Sequence, residues 1–139
     1  MKKICKNLTD TQQFAFELCK LLKGGEVITL NGDLGAGKTT FTQFLAKEFG
    51  IKEPVTSPTF TLMNQYLDGR LKLYHFDMYR IEEIDEILET GLTEYFGNAD
   101  AVCMIEWAEN IKPLLPKNLI TINITKLGET ERLFEVENI

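Results

Sequence analysis

The amino-acid sequence predicts an α/β fold in which helices flank a mixed, mostly parallel sheet that also carries β-hairpins. Strand-like and helix-like segments alternate in the first part of the chain, as they do in parallel sheets. Residues 101–105 form an uninterrupted apolar run, which is typical of a strand covered on both faces. Two pairs of strand-like segments separated by turn residues predict antiparallel hairpins, so the sheet as a whole is mixed.

The composition favours a globular domain that is not a general nucleic-acid binder. With 139 residues, 44% of them apolar, the chain is expected to form one domain over residues 1–139. Its net charge of −6 disfavours DNA or RNA as a direct partner, because phosphate binding needs many lysines and arginines. The three scattered cysteines indicate neither disulfides nor zinc. No apolar stretch has the length of a signal peptide or membrane span, so we expect a soluble, cytoplasmic protein.

The first elements are predicted to be a short strand at 2–8 and a helix. Thr9 and Gln12 have the spacing of a capping box that would open this helix, and Gly24-Gly25 would end it. The predicted core face of the helix consists of Phe14, Leu18, Leu21 and Leu22.

A second strand and a second helix come next. Residues 27–30 are rich in strand formers, and a helix is predicted at 38–49 with Gly50 as its terminator. The predicted core face of this helix consists of Phe41, Phe44, Leu45 and Phe49.

Two hairpins are predicted further along the chain. The segments 59–67 and 71–76 are joined by Asp68-Gly69, a turn signal because both residues tolerate positive φ. The segments 119–125 and 132–136 predict a second, closing hairpin.

A short helix is predicted between the hairpins, at 81–88, with an acidic outer face. Its predicted core side chains are Ile81, Ile84, Ile87 and Leu88. Its acidic side chains are Glu82, Glu83, Asp85, Glu86 and Glu89. Such a run is usually a solvated face, and a surface for a basic partner is the alternative.

A glycine-rich motif, Gly-Asp-Leu-Gly-Ala-Gly-Lys-Thr at 32–39, lies between the second strand and the second helix. It has the spacing of a P-loop, G-x-x-x-x-G-K-[ST], in which backbone N–H groups and the helix N-terminus bind phosphate. Lys38 would reach the β and γ phosphates of ATP, and the Thr39 hydroxyl would bind Mg²⁺. The predicted nucleotide contacts in this segment are Asp33, Leu34, Gly35, Ala36, Gly37, Lys38, Thr39 and Thr40.

A P-loop site also needs a carboxylate at the end of a neighbouring strand. Glu106 follows the apolar run 101–105, and we assign it to the Mg²⁺ and the attacking water. Asp77 follows the strand at 71–76, and we assign it a supporting or switch-like role near the γ phosphate. The predicted catalytic residues are Lys38, Glu106 and Asp77, and the predicted metal ligands are Thr39 and Glu106. Taken singly, each acid also fits a solvated strand end.

Three further features leave two interpretations each. His75 lies in a strand pattern and fits a packed or edge histidine better than a general base. Trp107 fits either the core or a position stacked near the nucleotide. The segment Ser57-Pro58-Thr59 fits a turn before a strand, or a loop that senses the γ phosphate through Thr59.

Four sequence blocks resemble those of a known family, and they occur in the same order. The blocks are Gly-Asp-Leu-Gly-Ala-Gly-Lys-Thr-Thr at 32–40, Ser-Pro-Thr-Phe at 57–60, His-Phe-Asp-Met-Tyr-Arg at 75–80 and Ile-Glu-Trp-Ala-Glu at 105–109. They closely resemble the TsaE (YjeE) family, the P-loop ATPases of bacterial tRNA threonylcarbamoyladenosine (t6A) biosynthesis.

The resemblance implies an accessory ATPase that joins the TsaD and TsaB proteins, drives or resets their complex by hydrolysing ATP, and meets tRNA only through that complex. By similarity, Lys38 and Thr39 would hold phosphate and Mg²⁺, and Glu106 would lie on the Mg²⁺ side. Asp77 and Trp107 would be functionally sensitive positions, and Thr59 would lie in a switch-like loop.

Three alternatives remain at this stage. A small-molecule or nucleoside kinase would also use a P-loop, but such enzymes usually bring several arginines to the phosphoryl group, and this chain has only Arg70, Arg80 and Arg132. A GTPase-type switch is disfavoured because no Asn-Lys-x-Asp sequence is present. An inactive nucleotide-binding fold would bind ATP through Lys38 without turnover.

Overall fold

The structure is a computed structural model, and it describes residues 1–58 and 61–139. The strands in these ranges are β1 (Lys2–Cys5), β2 (Val27–Asn31), β3 (Met63–Tyr66), β4 (Lys72–Asp77), β5 (Ala101–Glu106), β6 (Ile120–Lys126) and β7 (Arg132–Glu137). The α-helices are α1 (Leu8–Cys19), α2 (Lys38–Glu48) and α3 (Ile84–Thr90). Short 3₁₀ helices occupy Leu92–Tyr95 and Ala108–Leu114.

The described strands form one sheet in the order β1-β7-β6-β2-β5-β4-β3. The four central strands, β6, β2, β5 and β4, are parallel to one another. The pairs β3–β4, β6–β7 and β1–β7 are antiparallel. The predicted α/β class, with a mixed and centrally parallel sheet and two hairpins, is therefore confirmed.

Apolar residues cover both faces of the sheet. Side chains alternate between the faces of a strand, so Val102 and Met104 of β5 join the cluster that contains α1 and α2. Cys103 and Ile105 join the opposite cluster, which includes Ile87 of α3. All residues of β5 are buried, as the apolar run predicted.

The start of α1 differs from the prediction. Asn7, not Thr9, is the N-cap residue, and its Oδ1 accepts a hydrogen bond from the backbone N–H of Asp10 at 2.9 Å. Asn7 precedes the first helical residue and has extended backbone angles, which an N-cap requires. The helix also ends at Cys19, so the helical spacing no longer applies at Leu21, which is half exposed rather than in the core.

The prediction for α3 was wrong at both ends. The helix begins at Ile84, because Ile81 belongs to a turn in which its N–H donates to the Met78 carbonyl. Glu83 and Glu86 form the capping box that fixes the true start. Leu88 is exposed, not in the core, whereas Ile81 and Ile87 are buried as predicted.

The hairpin around Asp68-Gly69 forms as predicted, but for another reason. Neither residue has a positive φ. A Cβ atom on Gly69 would lie 2.6 Å from the carbonyl oxygen of Phe49, so a glycine is needed here for close approach of the chain. None of the helices in residues 1–58 and 61–139 combines the length and apolar character of a membrane span.

Candidate nucleotide site

The candidate site lies where the central parallel strands end. Strand β2 has β6 on one side and β5 on the other, and β5 is followed by β4. In the register of the sheet, Glu106 lies beside both Leu30 and Asp77. The loop 32–37 leaves the same edge and leads into α2. This carboxyl edge of an open parallel sheet is the usual place for a ligand.

Two glycines allow the loop its path. Gly37 has a φ of 103°, a left-handed conformation, immediately before the first residue of α2. A Cβ atom on Gly32 would lie 2.9 Å from the carbonyl oxygen of Ile124 and 3.1 Å from the Cβ of Ala36. The loop is closed by a hydrogen bond from the Ala36 N–H to the Asp33 carbonyl at 2.9 Å. The helix N-terminus is therefore presented directly to the open edge, where it favours an anion.

Lys38, Glu106 and His75 form a connected, largely buried group. Nζ of Lys38 lies 3.7 Å from Oε1 of Glu106, and the two side chains are 14% and 6% exposed. Nε2 of His75 lies 2.8 Å from Oε2 of Glu106. With Glu106 as a carboxylate, which can only accept, Nε2 is the donor. Each carboxylate oxygen of Glu106 thus has a partner, and its orientation is fixed.

His75 is fully buried, as expected of a packed histidine. Its Nδ1 is buried without a hydrogen-bond partner among the described residues. Within residues 1–58 and 61–139 the side chain thus has one hydrogen-bonding contact, the one to Glu106, and it is closed off from solvent. This favours a role in holding the carboxylate over a role as a general base.

Asp77 lies next to Glu106 and connects the site to Ser57. Its Oδ1 accepts a hydrogen bond from the Tyr79 N–H at 3.0 Å, and the Ser57 hydroxyl donates to its Oδ2 at 3.5 Å. Thr59 lies outside the described residues, so its predicted contact with the nucleotide stays a prediction.

Trp107 is not a core residue. It is 39% exposed, and its backbone adopts a left-handed conformation with φ of 57° directly after β5. Its ring packs on that of Tyr79 at 4.9 Å between centroids, and Nζ of Lys38 lies 5.5 Å from its centroid. Trp107 therefore forms a wall of the site beside the lysine.

A cleft of about 500 Å³ brings most of the predicted residues together. It is lined by Leu34, Gly35, Gly37, Lys38, Thr39, Thr40, Ser57, Asp77, Glu106, Trp107 and Arg132. Asp33 and Ala36 do not line it and border a neighbouring cavity beside β6 instead. The cleft fits a Mg²⁺-bound phosphate chain, since it combines the Thr39 hydroxyl, two carboxylates and a helix N-terminus.

The described residues contain no cluster of three or more His, Cys, Asp or Glu side chains that could hold a metal alone. A P-loop does not need one, because Mg²⁺ there is bound mainly by phosphate oxygens and water, with one or two protein ligands. Thr39 and Glu106 remain the predicted ligands.

The sequence reasoning missed a second cavity and the role of Arg132. The cavity, about 300 Å³, lies between the loop, the start of α1 and the β6–β7 turn. Its lining residues are Leu8, Thr11, Ala36, Gly37, Thr40, Glu129, Thr130, Arg132 and Phe134. Gly37, Thr40 and Arg132 border both this cavity and the cleft. No motif spacing in the sequence links residues so far apart.

The fold and this edge geometry define an α/β protein of the P-loop type. Comparison with known proteins gives the family. The family model described as threonylcarbamoyl adenosine biosynthesis protein TsaE matches residues 5–134, and the chain belongs to this TsaE family. The resemblance seen in the sequence blocks is thereby confirmed.

Relatives and a solved structure agree with the family. The chain is 47% identical over 126 residues to a tRNA threonylcarbamoyladenosine biosynthesis protein TsaE of Bacillus subtilis, covering 91% of this chain and 78% of the relative. It is 39% identical over 133 residues to a protein of the same name from Treponema pallidum, covering 95% and 96%. The crystal structure of Bacillus subtilis YdiB superposes with a TM-score of 0.79 at 40% identity, covering 96% of this chain and 82% of that one.

Proposed function

We propose that the protein is a Mg²⁺-dependent ATPase that acts as an accessory subunit in t6A modification of tRNA. The observation that carries the proposal is the meeting of Lys38 and Glu106, 3.7 Å apart, at the N-terminus of α2 in a chain of the TsaE family. A P-loop lysine and a strand-end carboxylate are recurring parts of sites that transfer a phosphoryl group to water.

The contact between Lys38 and Glu106 suggests how ATP would rearrange the site. The lysine is the cation nearest to the carboxylate, and a triphosphate would compete for it. Lys38 would turn to the β and γ phosphates, and Oε1 of Glu106 would become available to a water molecule. Oε2 would stay bonded to His75, so the carboxylate would keep its orientation while it changes partner. Bound Mg²⁺ would supply charge neutralisation on the phosphates.

Asp77 would couple the site to the segment at 57–59. Its contact with the Ser57 hydroxyl is long, 3.5 Å, and therefore weak enough to change when a γ phosphate arrives. In this hypothesis the segment, including Thr59, closes over the phosphate, and Asp77 and Glu106 position the metal and the water.

The second cavity is the proposed site of the adenine base. It adjoins the loop through Ala36, Gly37 and Thr40, so a base placed there would be continuous with phosphates in the cleft. Its apolar lining, which includes Leu8 and Phe134, suits a planar ring. Adenine is proposed rather than guanine, because the chain lacks the Asn-Lys-x-Asp sequence.

The proposed partners are the TsaD and TsaB proteins, with tRNA met only through their complex in the cytoplasm. A net charge of −6 supports protein partners more than a direct grip on tRNA. Because P-loop catalysis is mainly positioning, we expect the isolated subunit to be slow until partners complete its site.

A small-molecule kinase has less support. Arg70 is held by the Cys19 carbonyl and lies over the Phe49 ring, before the start of β4, whereas the cleft lies where β4 ends. Arg132 is held by backbone carbonyls at the rear of the loop. Arg132 lines the cleft, but all three of its guanidinium nitrogens are engaged by backbone carbonyls of the loop and of the β6–β7 turn.

The pathway role is tested by depletion in the source bacterium. We expect t6A in total tRNA, measured by mass spectrometry of nucleosides, to fall when the protein is depleted. Resupply of the wild-type protein should restore it, and resupply of Lys38→Ala should not. Normal t6A after depletion, verified by immunoblot, would remove the protein from this pathway.

A further inference from the structure

Arg132, the first residue of β7, makes contacts that the proposed reaction does not explain. Its Nε donates to the carbonyl oxygen of Ala36 at 2.8 Å, and its Nη2 lies 3.4 Å from that of Gly35. On the other side, Nη1 donates to three carbonyl oxygens of the β6–β7 turn. These belong to Gly128 at 2.9 Å, Glu129 at 3.2 Å and Glu131 at 3.0 Å. The single guanidinium of Arg132 thus connects the β6–β7 turn to backbone carbonyls of the phosphate loop.

The position of this arginine is fixed by the sheet. Arg132 pairs with Lys126 of β6 and with Cys5 of β1, so its backbone has a strand on each side. Phe134, two residues later, is buried against Phe14 and Phe41, with ring centroids 5.2 and 5.0 Å away. The guanidinium is therefore held from a rigid element, whereas the loop that it contacts is irregular.

We propose that Arg132 is a positioning residue that orients the phosphate-binding backbone of the loop through the Ala36–Gly37 peptide unit. A trans peptide is planar, and its C=O and N–H groups point in opposite directions. Because the Arg132 guanidinium binds the Ala36 carbonyl oxygen, the N–H of Gly37 in the same peptide unit points away from the guanidinium. It does so at the N-terminus of α2, where a phosphate would bind.

The charge of Arg132 strengthens the same effect. In residues 1–58 and 61–139, no carboxylate lies within ion-pairing distance of this guanidinium. Its positive charge therefore acts on the carbonyl oxygens, and it polarises the peptide so that the N–H becomes a better donor to an anion. The role assumes that the loop binds a nucleotide, as proposed above.

The test compares Arg132→Gln and Arg132→Lys with the wild type by calorimetric titration of three ligands, each with Mg²⁺: ATP, ADP and inorganic pyrophosphate. Pyrophosphate reports on the phosphate site alone, and ADP against ATP isolates the γ phosphate. Lys3→Gln is the matched control, because Lys3 is an exposed cation on β1, the strand that pairs with β7. Circular dichroism of each ligand-free variant establishes that it is folded.

We expect Arg132→Gln to weaken all three ligands by a similar factor, about tenfold, since a charged hydrogen bond to the loop is lost. Arg132→Lys should be intermediate, because an ammonium keeps the charge but cannot bond both the loop and the turn as the guanidinium fork does. Lys3→Gln should bind as the wild type does. If Arg132→Gln does not fold, the folded Arg132→Lys variant provides the comparison.

Three results would overturn the positioning role. Unchanged affinities in folded Arg132 variants would show that the loop holds its shape alone. A loss confined to ATP would indicate direct contact with the γ phosphate, and a loss for both nucleotides without a loss for pyrophosphate would indicate support of the base cavity. A wild-type protein that binds neither ATP nor ADP would instead contradict the proposed function.

Discussion

The two sides of the phosphate loop are built from different chemistry. On one side, Lys38, Glu106 and His75 form a buried chain of charged and hydrogen-bonded side chains. We refer to these three residues together with Asp77 as the acidic flank. On the other side, the hairpin flank consists of Arg132, the β6–β7 turn and the second cavity, and there the Arg132 guanidinium donates hydrogen bonds to backbone carbonyls of the loop and of the turn.

The difference teaches which tasks each flank can perform. Side-chain carboxylates can exchange a lysine for water or metal, so the acidic flank is suited to chemistry. On the hairpin flank the guanidinium stays charged and the cavity is lined mostly by uncharged residues, so this flank is suited to binding and orientation. Substitutions on the first flank should separate turnover from affinity, and those on the second should change affinity.

Lys38→Ala should have the largest effect, because this residue serves both affinity and turnover. We expect ATP affinity to fall by about 100-fold or more, since a charge-assisted contact to the phosphates is lost and Glu106 is left without its cation. Calorimetric titration with Mg²⁺-ATP measures the change. Lys47→Ala, on the same helix but in its last turn, is the matched control and should bind normally.

Glu106→Gln should reduce turnover while sparing affinity. Glutamine keeps the shape of the side chain but cannot orient or accept a proton from water as a carboxylate does, so we expect kcat to fall by about 100-fold or more. Phosphate release at saturating ATP gives kcat, and titration gives the dissociation constant. Unchanged turnover would remove Glu106 from the catalytic set.

His75→Ala should have a smaller effect of the same kind. Oε2 of Glu106 would lose its buried partner, and we expect kcat to fall by about tenfold with little change in ATP affinity. His75→Gln retains an amide donor and should recover part of the loss. Equal kcat in the two variants, with both folded, would count against a positioning role for the ring.

Thr130→Trp tests the hairpin flank. Thr130 is exposed on the β6–β7 turn and lines the second cavity, so a bulky ring would fill part of the proposed base site. We expect affinity for ADP to fall by about fivefold while pyrophosphate binds as before. Equal affinity for ADP in the variant and the wild type would argue against adenine in this cavity.

The smallest effect concerns a core residue outside both flanks, and it should leave ligand binding unchanged. Burial raises the pKa of the Cys103 thiol from 9.0 to about 12. The folded state binds the thiol proton more tightly than the unfolded state does. The protonated Cys103 therefore makes its whole contribution to the free energy of unfolding below about pH 9. This contribution is lost as the pH rises from there toward about 12. Urea unfolding at pH 8 and 10.5 measures how much the free energy of unfolding falls between the two pH values. We expect a smaller fall in Cys103→Ala than in the wild type, and an equal fall in both proteins would contradict this assignment.

Much of the acidic flank could be predicted from the sequence, because its residues occur at positions that secondary structure brings together. Glu106 and Asp77 each end a central parallel strand, and parallel strands end at the same edge. The motif at 32–39 gave the loop and Lys38 in the same way. Their chemical roles remain predictions.

The hairpin flank could not be predicted, because it depends on long-range register. Arg132 reaches Ala36 only because β7 pairs with β6, and β6 lies beside β2. No spacing of residue types in the sequence predicts that one guanidinium will contact backbone carbonyls of distant segments. Errors at helix ends have a local cause: Asn7 and Glu83 are the N-cap residues, whereas the helices were predicted to begin at Thr9 and residue 81.

The most direct test of the proposed function is Mg²⁺-dependent ATP hydrolysis by the purified chain, alone and with its cognate TsaD and TsaB proteins. We expect slow turnover alone and faster turnover with both partners, and we expect both to vanish in Lys38→Ala and on removal of Mg²⁺ with a chelator. Turnover that is indifferent to the partners but depends on an added small acceptor would indicate a kinase. Tight ATP binding without turnover under any of these conditions would contradict an ATPase.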